Sequence, residues 1–400
     1  YLLILILKVW KKKIAILGST GSIGKQTLKI IKKDKKNFDV VLLSTNKNTK
    51  LILEQAKEFN VKNIVIKNYE SYLKFKKKTK NLKVHKNFDN LEQLIKKKLD
   101  YTMCAITGLE GLKPTLKIVK HTKTIAIANK ESIICGWCLI NKQLQKHKTK
   151  FIPVDSEHFS IWSVIKDLNS SVVENIIITA SGGPFFNNKN NSLKITPKLA
   201  SSHPNWKMGA KISVDSSTLM NKVFEIIEAK KIFNIELKKF KILIHPKSYV
   251  HAIVKLKNGL IKIVAHDTDM KIPITNSLYL NENKFIKTKK INVKILNNLR
   301  LTEVNKKQFP LIKLLKAVPK NNTLFETLLV SMNDELVSLF LNKKISYDKI
   351  SKNLLSRINS KSFSKFKRKK LNNLAQIEKL NNFVRLKTKT LSVISTKKWK

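Results

Sequence analysis

A short apolar run at 14–17 leads straight into Gly18-Ser19-Thr20-Gly21-Ser22-Ile23-Gly24, and residues 26–31 then take up helical spacing. Strand, glycine turn and helix in that order open a doubly wound parallel sheet, with free amides at the helix N-terminus that can cradle a pyrophosphate. Only 10 glycines occur in 400 residues, so three in one turn mark a backbone that needs positive φ or close approach to a ligand. The spacing is G-x-x-G-x-x-G rather than the commonest dinucleotide fingerprint, and such units also occur without a ligand. Alone, the turn therefore speaks more firmly for the fold than for the cofactor.

The alternation continues. Strands are predicted at 38–44, 61–66, 103–107 and 124–128, with a helix at 51–59 and another between the last two strands. This is the α/β pattern of a Rossmann-like domain over 13–152. From 153 to 281 strands at 172–178, 241–244 and 261–265 are joined by irregular loops, and a helix is expected over 215–232, so this part reads as an α+β catalytic and metal domain. Residues 282–302, rich in Lys and Asn, form the linker candidate. Residues 303–400 contain no glycine and show helical spacing at Leu311, Leu314, Leu315, Leu328 and Leu329, which predicts a small C-terminal helical domain. Residues 1–12 are set outside the fold as an extension. Their apolar stretch is too short to span a bilayer and lacks a basic lead-in, so no membrane partner is expected.

Composition excludes some functions. The net charge of +53 would suggest nucleic acid or an anionic surface. The lysines are dispersed along the whole chain, however, and aromatics make up only 8%, so no specific nucleic-acid face is expected. A charge spread in this way instead speeds the capture of anionic small molecules at low salt. Cys104, Cys135 and Cys138 are too few and odd in number for a disulfide scaffold. Cys135-Gly136-Trp137-Cys138 has no second pair to complete a zinc site and no His context for a nucleophile, which argues against a thiol-dependent aldehyde or acyl-phosphate dehydrogenase.

Three segments carry chemistry. At the end of the second strand, Ser44-Thr45-Asn46-Lys47-Asn48 has no carboxylate for a ribose 2′-hydroxyl, and a Lys with two amides suits a 2′-phosphate, so NADPH is favoured over NADH. In Pro153-Val154-Asp155-Ser156-Glu157-His158 an extended chain would aim Asp155 and Glu157 the same way. With Glu225 they make a hard-cation site for Mg²⁺ or Mn²⁺. His158 reads as a packing residue behind the ligands, with ligation as the alternative. In Ser213-Val214-Asp215-Ser216-Ser217-Thr218-Leu219-Met220-Asn221-Lys222, Asn221 and Lys222 share a helix face with Glu225. Asp215, Ser216 and Ser217 stand where an N-cap would be, a place for a phosphate. Ser181-Gly182-Gly183-Pro184 offers a hydroxyl and free amides to an anion. His203-Pro204-Asn205-Trp206-Lys207-Met208-Gly209 reads as a mobile loop able to close over a ligand.

Together these segments resemble the 1-deoxy-D-xylulose 5-phosphate reductoisomerase family. The likeness rests on G-S-T-G-S-I-G at 18–24, A-N-K-E-S at 128–132, P-V-D-S-E-H at 153–158, T-A-S-G-G-P-F at 179–185, H-P-N-W-x-M-G-x-K-I-S-V-D-S at 203–216, M-N-K-x-x-E-x-I-E-A at 220–229 and I-H-P-x-S-x-V-H at 244–251. The resemblance implies a homodimer with NADPH, catalytic and helical domains, in a bacterial cytoplasm or, alternatively, a plastid. It implies that Thr20, Gly21, Ser22 and Ile23 hold the NADPH pyrophosphate, that Asn46, Lys47 and Asn48 take the ribose phosphate, and that Asn129, Glu131 and Gly209 lie along the cofactor. Asp155, Glu157 and Glu225 would bind a divalent cation (Mg²⁺, Mn²⁺ or Co²⁺), and Lys130 and Ser156 would contact the reacting end of the sugar phosphate. Ser181, His203, Ser216, Asn221 and Lys222 would hold its phosphate end and hydroxyls, under a flap formed by Trp206 and Met208. The implied reaction rearranges the carbon skeleton, by retro-aldol cleavage and re-addition, and then reduces the branched aldehyde with NADPH to 2-C-methyl-D-erythritol 4-phosphate. Departures from the family pattern fall at Asn46, Val223 and Lys247, in the stretch 265–271 and at Asn333-Asp334-Glu335, and none is a candidate for the metal or for the substrate phosphate.

Overall fold

The computed structural model describes residues 10–186, 195–206, 208–280, 282 and 284–397, with side chains to residue 390. Most of the expected extension, residues 1–9, lies outside them. The chain divides into two compact units. One runs to Ser132 and takes in Ile140–Asp155 and Met270–Ile286; the other comprises Ile133–Leu139, Ser156–Asp269 and the chain from Lys287 onward.

In the first unit, β1 (Lys12–Leu17), β2 (Phe38–Thr45), β3 (Asn63–Ile66), β4 (Lys83–His85), β5 (Leu99–Cys104), β6 (Thr122–Ile127) and β7 (Lys150–Pro153) form one sheet in the order β4-β3-β2-β1-β5-β6-β7. Every neighbouring pair is parallel. Parallel strands are covered on both faces, which is why β1, after its two leading lysines, is an apolar run, Ile14 to Leu17, with no exposed surface. The strand order reverses between β1 and β5, the position at which open α/β sheets bind ligands. β5 lies four residues before the predicted 103–107. Asp100 and Thr102 interrupt the apolar run there, and Asp100 accepts from the backbone of Lys13 at the sheet end, 2.8 Å away. Residues 270–286 return to this unit because Tyr279 donates to the buried carboxylate of Asp34 (2.6 Å) and Tyr101 is hydrogen-bonded to Ser277 (2.7 Å).

The helices of this unit that bear on function are α1 (Ser22–Lys32), α2 (Thr49–Glu58) and the start of α3 (Lys130–His147). Each follows the C-terminal end of a strand, so their N-termini share one edge of the sheet.

The second unit is built on β8 (Val173–Ala180), β9 (Phe240–Ile244), β10 (Val250–Leu256), β11 (Ile261–Ala265) and β12 (Thr302–Glu303), in the order β11-β10-β8-β9-β12. Only β8 and β9 are parallel. β12 lies at the end of the stretch read as a linker. Against this sheet pack α4 (Ser156–Ile165) and α6 (Met220–Phe233), the latter preceded by α5 (Ala210–Ser217); Ile161, Ile176, Ile178, Ile226, Ala252 and Val254 form the shared core. The C-terminal part is helical, as expected, with α7 (Phe325–Leu341), α8 (Tyr347–Arg357) and α9 (Leu374–Lys397).

The expected single helix over 215–232 is broken. Leu219 takes a left-handed conformation (φ 57°, ψ 13°) between α5 and α6. Asp215, Ser216 and Ser217 therefore close α5 and do not cap α6. The N-cap is Leu219 itself, with no side-chain cap, and the Thr218 hydroxyl before it accepts from the Met220 amide at 3.3 Å.

Candidate active site

In the first unit the glycine turn is held at both ends. Gly18 has φ +85°, and a Cβ there would lie 2.7 Å from the Ala105 carbonyl oxygen, so no other residue fits. Its amide donates to the Ser44 hydroxyl (2.8 Å), Ser19 is clamped by Gln55 (2.7 Å and 3.0 Å), and Thr20 bonds to Thr45 (2.7 Å). No side chain caps α1, whose N-cap is Gly21, so the amides of Ser22 and Ile23 open its first turn with no intrahelical acceptor. That is a cradle for an anionic pyrophosphate at the switch point of the sheet. Asn46, Lys47 and Asn48 project from the end of β2 and are exposed; the Asn48 side-chain oxygen is taken by capping α2. The NADPH donor set fits: free amides for two phosphates, then a cation and amides with no carboxylate among them.

Asn129 is committed to structure. It caps α3 through Ser132 (2.7 Å), and its amide donates to the carbonyls of Gly108 (2.7 Å) and Ile106. Its contribution is to fix the loop after β5. Glu131 sits buried in the same first turn, and Lys130 places its ammonium 3.3 Å from Asp155.

The carboxylates converge for a reason other than strand alternation. β7 stops at Pro153, and Glu157 already lies in the first turn of α4, with Asp155 just before it. Glu157 and Glu225 meet across Lys222, whose ammonium donates to Glu157 Oε1 and Glu225 Oε2, each at 2.5 Å. The Asn221 amide donates to the other Glu225 oxygen, which confirms the shared helix face, and Ser156 donates to Glu157. One oxygen from each of Asp155, Glu157 and Glu225 lies within 4.8 Å of the other two. This all-oxygen set suits a hard divalent cation. His158 is not among these donors. It is fully buried behind them, its Nε2 against the Glu225 carbonyl at 2.9 Å and its Nδ1 3.6 Å from Glu228.

Burial works against the Lys222 charge, but Glu157 and Glu225 outweigh it and raise its pKa, so the ammonium persists. His203 goes the other way. Burial first, then the nearby Lys222 cation, pushes it down to about 4 against the opposing pull of Glu157. Its Nδ1 accepts from the backbone amides of Asn205 (3.1 Å) and Trp206 (3.0 Å). The ring is thus neutral with its proton on Nε2, which donates to Ser181 at 2.9 Å. Ser181 also accepts from the Gly183 amide at 3.1 Å, leaving its own hydroxyl proton for an incoming anion. Gly183 (φ +71°) packs so closely that a Cβ would stand 2.7 Å from Ser217 Cα and 3.1 Å from the Ser216 carbonyl oxygen. Positive φ and close approach together bring the Ser181 loop against Ser216. Trp206 and Met208 are half-buried, and the Trp206 ring meets His251 edge-on at 6.0 Å between centroids. Gly209 begins α5.

Sequence reading missed two supports. Asn205 ties the loop to the turn after β9, donating to the Pro246 carbonyl (2.6 Å) and the Ser248 hydroxyl (2.9 Å). His251 stacks on His266 at 3.8 Å. Both stand inside motifs quoted above, but their partners have no local signature, since those depend on which strands become neighbours. Burial raises the Cys104 thiol to about 12 and pushes up Cys135 and Cys138 inside α3, which disfavours their reactive thiolate forms.

Comparison with known proteins agrees with this geometry. Residues 14–136 match the family model described as 1-deoxy-D-xylulose 5-phosphate reductoisomerase, residues 151–233 that of its C-terminal domain, and residues 266–387 a further C-terminal domain model of the same enzyme. A 1-deoxy-D-xylulose 5-phosphate reductoisomerase from Pelagibacter ubique (strain HTCC1062) is 56% identical over 390 residues, covering 96% of this chain and 100% of its own. One from Sulfurihydrogenibium sp. is 36% identical, covering 88% and 92%. Among solved structures, the Zymomonas mobilis enzyme in complex with NADPH superposes with TM-score 0.86 at 31% identity, covering 96% of this chain and 99% of its own. A DOX-P reductoisomerase bound to NADPH, fosmidomycin and magnesium gives TM-score 0.88 at 28% identity, with the same coverage.

Proposed function

This chain belongs to the 1-deoxy-D-xylulose 5-phosphate reductoisomerase family, and on that premise we propose that it converts 1-deoxy-D-xylulose 5-phosphate to 2-C-methyl-D-erythritol 4-phosphate with NADPH and a divalent cation. The observation that carries the reading is the convergence of Asp155, Glu157 and Glu225 within 4.8 Å, beside a cluster of hydroxyl, amide and ammonium donors. When bound, the cation supplies Lewis-acid stabilisation of charge developing on substrate oxygens. When bound, NADPH supplies the hydride.

The chain's own groups do the rest. Ser181, Ser216, Asn221 and Lys222 bind the phosphate end and hydroxyls, with Ser181 donating because His203 and Gly183 fill its acceptor positions. The phosphate is remote from the bonds that change, so its binding energy serves orientation and closure of the loop bearing Trp206 and Met208. That closure excludes water and strengthens the electrostatics within. Lys130, held at Asp155, and Ser156, held at Glu157, stand at the reacting end and orient oxygens for the retro-aldol and re-addition steps. Thr20, Gly21, Ser22 and Ile23 hold the pyrophosphate, with Asn46, Lys47 and Asn48 at the 2′-phosphate. Asn129, Glu131 and Gly209 lie along the cofactor in this reading.

The relatives named above are bacterial, and among the described residues no helix is long and apolar enough to cross a membrane. A homodimer in the bacterial cytoplasm completes the proposal. The test is NADPH oxidation by purified protein with 1-deoxy-D-xylulose 5-phosphate, with and without Mg²⁺ or Mn²⁺. Cation-dependent oxidation yielding 2-C-methyl-D-erythritol 4-phosphate is expected; no turnover with either cation would refute the reading.

A further inference from the structure

α5 has only eight residues, about two turns, and is bounded by the loop at 203–209 and by the break at Leu219. So short a helix does not fix its own rotational setting, yet it carries Ser216. The C-terminal helices grip it at three points. Asp215, buried to 1% exposure, accepts from the Asn333 amide of α7 at 2.8 Å. Lys211, one turn earlier, lies 2.9 Å from both Asp215 and Asp334, and Asp334 is held in turn by Arg385 of α9 at 2.8 Å. Ser217 accepts from the Tyr347 hydroxyl of α8 at 3.0 Å.

Asn333 stands out among these groups. It is fully buried, and its Oδ1 has no hydrogen-bond partner among the described residues. Its amide is therefore oriented by Asp215 alone: flipped, its carbonyl would face a carboxylate. A buried amide left half-satisfied is a liability unless the bond it does make is needed. That bond joins the Lys211–Asp334 and Tyr347–Ser217 contacts in holding α5 against the C-terminal helices. With Asp215 facing α7, Ser216 and Ser217 are presented to Gly183 and the loop that carries Ser181.

We infer that Asn333 is a positioning residue for the reaction: through Asp215 it sets the rotation of α5 and so places Ser216 for the substrate phosphate. The inference rests on the proposed role of Ser216 at the phosphate end. No bond is made or broken by Asn333, and it acts through Asp215.

The test compares Asn333→Ala, the reciprocal double variant Asp215→Asn with Asn333→Asp, and Ser216→Ala as a control. The readouts are KM for 1-deoxy-D-xylulose 5-phosphate, the inhibition constant of inorganic phosphate, kcat, KM for NADPH and the melting temperature. In Asn333→Ala the first two constants should rise by about tenfold while KM for NADPH stays put. The reciprocal variant rebuilds an amide–carboxylate bond with its direction reversed and should return both constants toward wild type, which a merely structural loss would not do. A folded Asn333→Ala with unchanged constants overturns the inference. So does a reciprocal variant that melts like wild type yet keeps the raised KM, and this arm decides alone should Asn333→Ala not fold. If Ser216→Ala leaves KM unchanged, the phosphate site itself is misassigned; if Ser216→Ala raises it and Asn333→Ala does not, only the tether fails.

Discussion

Replacing Lys222 with Met should destabilise the metal-free protein and make its stability respond strongly to a divalent cation. The Lys222 ammonium is buried and lies 2.5 Å from one oxygen of Glu157 and 2.5 Å from one of Glu225. Those carboxylates approach to within 4.8 Å. Without the cation between them, two unit charges no more than 4.8 Å apart repel by at least about 3.5 kcal/mol at an effective dielectric of about 20. Breaking a buried ion pair costs about 3–5 kcal/mol by mutational precedent, so two independent routes agree. At about 2 °C per kcal/mol for a large unit, the melting temperature should fall by about 7 °C in chelator. A divalent cation then replaces the lost charge. At about 100 times its dissociation constant it returns about 2.7 kcal/mol. Wild type should respond less, because there the ion competes with the ammonium. The assay is thermal unfolding in chelator and over a Mn²⁺ titration. Equal melting temperatures for the two proteins in chelator, or a variant indifferent to Mn²⁺, would refute the electrostatic argument.

Three further outcomes are expected. Glu225→Gln should nearly abolish turnover while NADPH still binds, as fluorescence titration would show; wild-type-like activity would remove Glu225 from the site. Gly183→Ala forces a Cβ to within 2.7 Å of Ser217 at φ +71°, a strain of about 1–3 kcal/mol, and should raise KM for the sugar phosphate about tenfold; an unchanged KM would mean the loop relaxes freely. His251 is depressed to about 3 by burial and then by the stacked His266, and His203 to about 4. Both are neutral when folded, so their contribution is complete above the unfolded value of about 6.5 and is lost as pH falls toward those folded values. Denaturant midpoints should therefore drop between about pH 6.5 and 4, less steeply in His251→Asn, and an identical slope would contradict the assignment.

The sequence made the parallel sheet readable because its strands are buried on both faces and so appear as apolar runs. The run at 99–104 was displaced because Asp100 serves a sheet-end bond that no local pattern announces. The carboxylates were found from their types and spacing, although the geometry that joins Asp155 to Glu157 is a helix start rather than an extended strand. The break at Leu219 left no signal at all: Leu rarely adopts positive φ, and the side chain is buried in a cluster with Ala180, Ile244 and Phe309 that no local pattern announces. Asn129 was read as lying along the cofactor; the cap and the loop bonds that its side chain also makes could not be read, because their partners are set by the fold. Asn333, Asn205 and His266 were invisible as functional residues for a common reason. Their partners lie between 15 and 118 positions away, and that separation is closed only by the tertiary fold.

The central claim is that Asp155, Glu157 and Glu225 together hold one divalent cation. Paramagnetic titration of Mn²⁺ against the purified protein tests it directly. The account predicts one tight site per chain, lost in Glu157→Gln and in Glu225→Gln while both variants still melt cooperatively. A single tight site that survives Glu225→Gln would contradict it.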